Sequence, residues 1–334
     1  MAVIRVGLVG TGYAAHARAK ALLADERSCL IGIAGGGISV HDAERNGAER
    51  ITEFANRYGV KGIAHWQQLI VDESIDLVIV CTVSSLHGEV AEAALAAGKH
   101  VVVEYPLSFD VQQADRLVEL AAQRQLLLHV EHIELLGGLH LAMRSHLSKV
   151  GKPSYVGYRT VNPQTPAPKK WTYQKALFGF PFCGALSRVH RLTNLFGRVN
   201  EVTCQTRILE DEGDAYFKQI LSSGRLQFES GLIAELVYGK GEGLMVYHRE
   251  IEVQGDQGKL FFDRNEGTIT TAEGTNVIAI KPRRGLFVKD TQGILDNLTA
   301  GIPLYVSAAE SVYALRVGDA LRRASDTGVA VVVA

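Results

Sequence analysis

Residues 3 to 9 form a nearly unbroken apolar run that ends directly in Gly10-Thr-Gly-Tyr-Ala-Ala15, and no other feature narrows the fold so far. An apolar run without alternation is the pattern of a strand covered on both faces, as in a parallel sheet. The residues that follow predict a tight glycine turn, a helix over about 14–24 and a second strand over 29–34, which together make one βαβ unit. The alternation continues with strands over 76–82, 99–104 and 126–130 and helices over 86–97 and 111–124, the first of these helices stopped by Gly98. Crossover helices of this kind must cover both faces of the sheet, so the expectation is a doubly wound, Rossmann-type α/β domain over residues 1–130.

At 334 residues the chain has room for about two domains of ordinary size. The rest reads differently. After a helical stretch at 139–147 come strand-like runs at 155–161, 199–209, 215–221, 226–229, 232–238, 245–254, 259–263, 268–271 and 276–281. Turn signals stand between many of them: Ser222-Ser-Gly224, Gly255-Asp-Gln-Gly258 and Asn265-Glu-Gly267. A final helix starts at Ser307, which has capping-box spacing to Glu310 and places Val312, Leu315 and Leu321 on one face. The expectation is an α+β domain over residues 131–334, with a large, mostly antiparallel open sheet for substrate.

Charge and composition exclude several classes. The 35 Lys+Arg against 36 Asp+Glu attract neither nucleic acid nor an anionic membrane by bulk charge, and the apolar stretches are far too short to span a bilayer. Cys29, Cys81, Cys183 and Cys204 form no C-x-x-C pair and read as reduced packing residues, so no metal site is expected. Met1 leads straight into the first strand without a leader pattern, which points to the cytoplasm.

Between a strand and a helix, the G-x-G-x-x-A pattern has a mechanical meaning. Gly10 permits the turn, Gly12 lets backbone approach a pyrophosphate, Ala15 keeps helix close to strand, and the backbone of Thr11, Tyr13 and Ala14 completes the phosphate-facing loop. Where an NAD-binding chain carries an acid for the ribose, this one has Gly35-Gly-Gly-Ile-Ser39, and the first acid, Asp42, comes late. Without a carboxylate to repel a 2′-phosphate, NADPH is the expected cofactor. Gly36 and Ser39 then lie at the adenosine end, and Ser39, His41 and Arg45 are either phosphate partners or solvated loop residues.

Thr82-Val-Ser-Ser-Leu-His87, Ala97-Gly-Lys-His-Val101 and Glu104-Tyr-Pro106 resemble the glucose-fructose oxidoreductase and inositol dehydrogenase superfamily. That resemblance spans nearly the whole chain and implies a dinucleotide domain followed by a substrate-holding sheet. Thr82, Ser84, His87, Glu104 and Tyr105 would then border the nicotinamide, with His87 shaping its ribose site. The departures are informative. Sugar-oxidising members usually carry Glu-Lys-Pro, and Tyr105 takes the lysine's place. Their Gly-x-Leu-x-Asp motif, followed four residues later by His, reads Gly184-Ala-Leu-Ser-Arg188 with Leu192 in the histidine position. The proton-handling residues of alcohol oxidation are replaced, one of them by a permanent cation.

Longer strings resemble the biliverdin reductase family in its cyanobacterial form: residues 98–106, Phe178-Gly-Phe-Pro181, Leu186-Ser-Arg188, Leu195-Phe-Gly197, His129-Val-Glu-His-Ile-Glu-Leu-Leu136, and Pro166-Ala-Pro168 with Trp171-Thr-Tyr173. This resemblance implies NADPH-dependent reduction of biliverdin to bilirubin by hydride transfer to the central methine carbon, C10. It also implies a central role for Arg188, whose fixed charge suits stabilisation of the reduced pyrrole system and orientation of substrate or proton source. Tyr105 is an auxiliary hydrogen-bond donor or a stacking ring. Glu104, Glu131, His132 and Glu134 form either a proton supply or ordinary polar contacts. Arg191, Lys169 and Lys170 are candidates for the propionates or plain surface charges, and His132 and Trp171 complete the expected bilin contacts. The competing readings are a reductase of another conjugated or carbonyl substrate, and a non-catalytic NADP(H)-binding regulator.

Overall fold

The computed structural model describes residues 3–35, 43–263 and 266–333. It divides into two compact units, Met1–Ile133 with Gly285–Val312, and Glu134–Arg284 with Tyr313–Ala334.

The first unit is built on a six-stranded parallel sheet of β1 (Ile4–Val9), β2 (Ser28–Ala34), β3 (Lys61–Ile63), β4 (Leu77–Val80), β5 (His100–Glu104) and β6 (Leu128–Glu131), ordered β3-β2-β1-β4-β5-β6. This is the doubly wound arrangement expected from the sequence, with the change of winding direction between β1 and β4. Val6, Leu8, Ile33, Leu77, Ile79 and Val102 are sealed into its core with Ala15, Ala19 and Leu22 of the helix Tyr13–Leu23. The helix Leu286–Ala300 packs against that helix and adds Ile294 to the same core. The division of the chain therefore differs from the contiguous ranges 1–130 and 131–334. Residues 285–312 return to the first unit, and nothing local in the sequence announces a contact made across more than 250 residues.

The second unit carries a nine-stranded sheet of β7 (Pro153–Pro163), β8 (Val199–Glu210), β9 (Phe217–Phe228), β10 (Ile233–Gly241), β11 (His248–Gly255), β12 (Gly258–Asp263), β13 (Glu266–Thr271), β14 (Gly274–Ile278) and β15 (Val331–Val332). Neighbours run antiparallel except β7 and β10, which are parallel. The supposed turn at Ser222-Ser-Gly224 is instead the middle of β9, with Ser223 opposite Val237 and Gly224 opposite Leu236. A side chain on Gly224 would meet Leu321 at 2.8 Å and Phe182 at 3.2 Å, so this glycine serves close packing on the sheet and does not turn the chain. Ser307 and Glu310 form the expected reciprocal cap: the serine hydroxyl bonds the carboxylate at 2.7 Å and accepts the Glu310 N–H at 3.2 Å. Among the described residues no helix is long and apolar enough to cross a membrane.

Candidate active site

In the first unit the glycine turn is shaped by close approach. Gly10 has φ +112°, and a Cβ there would lie 2.3 Å from the carbonyl oxygen of Cys81, which no other residue type tolerates. Gly12, by contrast, faces open space: a Cβ on it would meet nothing within 4 Å. It caps the helix Tyr13–Leu23 without a side-chain bond, and no acid stands in the first turn. A helix end with uncapped N–H groups, the positive end of the dipole and room above a glycine fits a pyrophosphate. Ala15 is buried against the sheet, Thr11 and Ala14 are half-buried, and Tyr13 is exposed, its ring edge-on to Phe287. Gly36 and Ser39 lie outside the described residues, as does His41.

Thr82, Ser84 and His87 follow β4. His87 is fully buried, and its ring nitrogens lie 2.8 Å from the Pro106 carbonyl and 3.1 Å from that of Thr82. Burial lowers its pKa, although the carbonyl bonds work the other way. It is a clamp between the ends of β4 and β5, consistent with a shaping role and unsuited to acid–base chemistry. Next to it, Tyr105 stacks on His132 with ring centroids 5.3 Å apart and planes 6° from parallel. His132 bonds the Ser311 hydroxyl at 2.8 Å, and its backbone N–H donates to the Tyr305 hydroxyl at 3.0 Å.

Glu104 and Glu131 are cross-strand partners at the carboxyl ends of β5 and β6. Burial, then the neighbouring charge of Glu104, pushes Glu131 well above the usual carboxyl range. Burial also raises Glu104, while Arg18 pulls it back. Of these two interacting carboxyl groups, Glu131 is the one pushed further up. Arg18, itself wholly buried, is ion-paired with Asp290, bonds Thr291 at 3.1 Å and lies 3.7 Å from Glu104. Asp290 bonds His129 at 2.9 Å. Its burial alone would raise its pKa, but Arg18 and His129 hold it far below the usual range.

The second cluster lies within the second unit. Arg188 and Arg191 are one turn apart on the helix Ser187–Phe196 and reach the same sheet face. The Arg188 guanidinium stands 5.5 Å over the Tyr238 ring and bonds the Ser187 hydroxyl at 2.9 Å. Arg191, expected to meet the propionates, is buried: it donates to the Tyr158 hydroxyl at 2.6 Å and to Glu134 at 3.2 Å. Trp171 is exposed on the short turn Trp171–Tyr173. Of the two lysines offered for the propionates, Lys169 is 3.6 Å from Asp214, and Lys170 lies 5.7 Å over the Tyr173 ring.

Sequence reasoning missed Lys240. Its ammonium sits 3.5 Å from the centre of Phe178, near the rings of Tyr173, Phe217 and Tyr238, and is bonded to the Thr172 carbonyl. Burial, then repulsion from Lys170 and Arg188, lowers its pKa to about 7. Alternation along β10 puts Leu236, Tyr238 and Lys240 on one face, but the strand read from sequence stops at 238 and no local pattern shows the rings that close over the ammonium. The partners of Glu134 and of Arg18 are likewise set by contacts too distant in sequence for any pattern to show.

Family models agree with this architecture. "Oxidoreductase family, NAD-binding Rossmann fold" matches residues 4–132, and "Oxidoreductase family, C-terminal alpha/beta domain" matches 146–333. Myo-inositol 2-dehydrogenase of Thermotoga maritima is 23% identical over 96% of each chain. Biliverdin reductase A of Mus musculus is 28% identical over 71% of each chain. The crystal structure of biliverdin reductase in complex with biliverdin and NADP+ from Synechocystis sp. PCC 6803 superposes with a TM-score of 0.91, at 44% identity over 97% of this chain and 99% of that one. With both family models matched and that level of identity over nearly the full length, the chain belongs to this oxidoreductase family, in its biliverdin reductase branch.

Proposed function

We propose that the chain reduces biliverdin to bilirubin with NADPH, adding hydride at C10 while a pyrrole nitrogen takes a proton. The observation that carries this reading is Arg188, a fixed cation over the Tyr238 ring on a sheet face, where sugar-oxidising relatives place an acid. A bound nicotinamide supplies the hydride. The chain's own residues do the rest. The Gly10–Ala15 loop, with Thr82 and Ser84, holds the dinucleotide, and His87 fixes the two loops around it. Arg188 stabilises the negative charge that develops across the conjugated pyrroles and orients the substrate, and a guanidinium aimed at developing charge contributes to rate without changing protonation state. In the second unit, Trp171 offers an exposed ring to a flat, conjugated substrate. In the dinucleotide-binding unit, Glu131, its pKa raised by burial and by the charge of Glu104, is the carboxyl group best suited to hold a proton, and His132 supports Tyr105 by stacking. The absence of an early acid after β2 supports NADPH over NADH. The free thiols among the described cysteines are in keeping with the cytoplasm.

The test is an absorbance time course of purified protein with biliverdin and NADPH, then NADH, comparing wild type with Arg188→Ala. Loss of the blue-green band with gain of yellow product, faster with NADPH, is expected. The variant should lose about a hundredfold in kcat with NADPH affinity unchanged. Wild-type turnover in Arg188→Ala would remove Arg188 from the mechanism, and no conversion with either cofactor would overturn the reductase reading.

A further inference from the structure

Glu134 is a mostly buried carboxylate surrounded by cations. Its carboxylate lies 3.2 Å from Arg191 and 3.9 Å from Arg249, and it is also ion-paired with Arg283. Burial alone would raise its pKa, but Arg191, Arg283, Arg188 and Arg249 together hold it below the usual range. Three guanidinium groups around one carboxylate leave two positive charges uncompensated within the group.

These three arginines are not equivalent. Arg191 is 3% exposed in its side chain, whereas Arg249 and Arg283 are 39% and 56% exposed. Arg191 therefore anchors Glu134, and Glu134 in turn presents two arginines to solvent. The nearest acid along β11 does not quench them. Alternation turns Glu250 to the opposite face, where it meets Arg159 at 3.4 Å and His248 at 3.2 Å. Arg249 is directly across from Thr160 on β7, and Thr160 is directly across from Tyr238 on β10. The Thr160 hydroxyl is shielded from solvent and has no hydrogen-bond partner among the described residues. Arg249, Thr160 and Tyr238 thus form one row across the sheet, and the far end of that row is the ring under Arg188.

We propose that Arg249 and Arg283, held by Glu134, are the carboxylate-receiving subsite of the bilin. The proposal rests on the bilin reading and extends it. The two propionates of biliverdin branch from the inner rings that flank C10, so a substrate with its inner rings at Arg188 carries its carboxylates a short way along the same surface. Arginines on a carboxylate-anchored scaffold offer forked donors to such groups, and preorganisation reduces the entropy lost on binding.

The experiment compares biliverdin with its dimethyl ester, which keeps the chromophore and removes both charges. Binding to full-length protein is followed by quenching of tryptophan fluorescence, and turnover is followed in parallel. Wild type, Arg249→Met, Arg283→Met and the double variant are used. The Kd for biliverdin should rise about tenfold in each single variant. The Kd for the ester should stay at the wild-type value in all of them, which also shows that the variants are folded. An unchanged ratio of diacid to ester affinity in the double variant would overturn the subsite. Binding without turnover in wild type would overturn the reductase reading while the ratio still decided the subsite, and failure to bind either bilin would overturn both.

Discussion

Single residues in this molecule are informative where chemistry and environment disagree, and Lys240 is the clearest case. Burial lowers its pKa to about 7, helped by Lys170 and Arg188, whereas the surrounding rings and the Thr172 carbonyl favour the charged form. With the folded value below the ordinary 10.5, folded and unfolded chains are both protonated below about pH 7, and there the buried charge destabilises the fold in full. Between about 7 and 10.5 only the unfolded chain keeps the proton, so this contribution makes stability rise with pH. Lys240→Met removes the titration. Its stability relative to wild type should therefore be more favourable at pH 6 than at pH 9 by about 3 kcal/mol, as read by urea denaturation. An identical difference at both pH values would show that Lys240 does not titrate in this window. Residues of this kind were only partly legible beforehand. Arg188 stood out because it replaced an acid inside a motif, whereas Lys240 is an ordinary strand lysine until the 171–178 segment folds over it.

At the level of elements, local pattern identified those whose ends are chemically marked. The turn from β1 into the helix Tyr13–Leu23 was readable because two glycines have separate physical tasks there, and the Ser307 to Glu310 cap was readable because both partners lie within one turn. The middle of β9 was not, because Ser222-Ser-Gly224 has turn composition while its glycine answers to Leu321 and Phe182 packed on the sheet. The first of these elements yields a prediction in which helix stability and cofactor binding part ways. Aspartate is a good N-cap, so Gly12→Asp should leave the helix Tyr13–Leu23 as stable as before or more so. The same carboxylate would stand where the pyrophosphate must come. The Kd for NADPH should rise by at least about tenfold, with the loss shrinking at high salt. Thermal melting of the cofactor-free protein separates the two effects. A variant that melts early, or that binds NADPH as well as wild type, would contradict this account of the glycine turn.

On the scale of the whole chain, the return of residues 285–312 to the first unit carries an energetic consequence that sequence order conceals. Arg18 is wholly buried, and its ion pair with Asp290 and its bond to Thr291 come from that returning segment, as does the core residue Ile294. A fragment ending at residue 133 would lose Asp290 and Thr291, the Phe287 ring and the Ile294 contact together, so Arg18 and the helix face that carries it would be left without both their cover and their counter-charge. In a chain that keeps the segment, Arg18 stays buried and only the ion pair is at stake. Removing one partner of a buried pair costs about 3–5 kcal/mol, a large share of the stability of a domain this size. In the fragment, the same loss of cover would expose the faces of Ala15, Ala19 and Leu22. Residues 1–133 alone should therefore lack a cooperative thermal transition, although they contain all six strands of the parallel sheet. The same residues joined through a slack flexible linker to 285–312 should regain the transition, because the join restores the counter-charge and the Ile294 contact together. Replacing Asp290 with Ala in the joined chain should undo most of that gain, which assigns it to the ion pair and not to added helix alone. Circular dichroism melts of the three chains decide the matter. Equal, cooperative melting of 1–133 and the joined chain would show that the returning segment decorates a unit already complete without it.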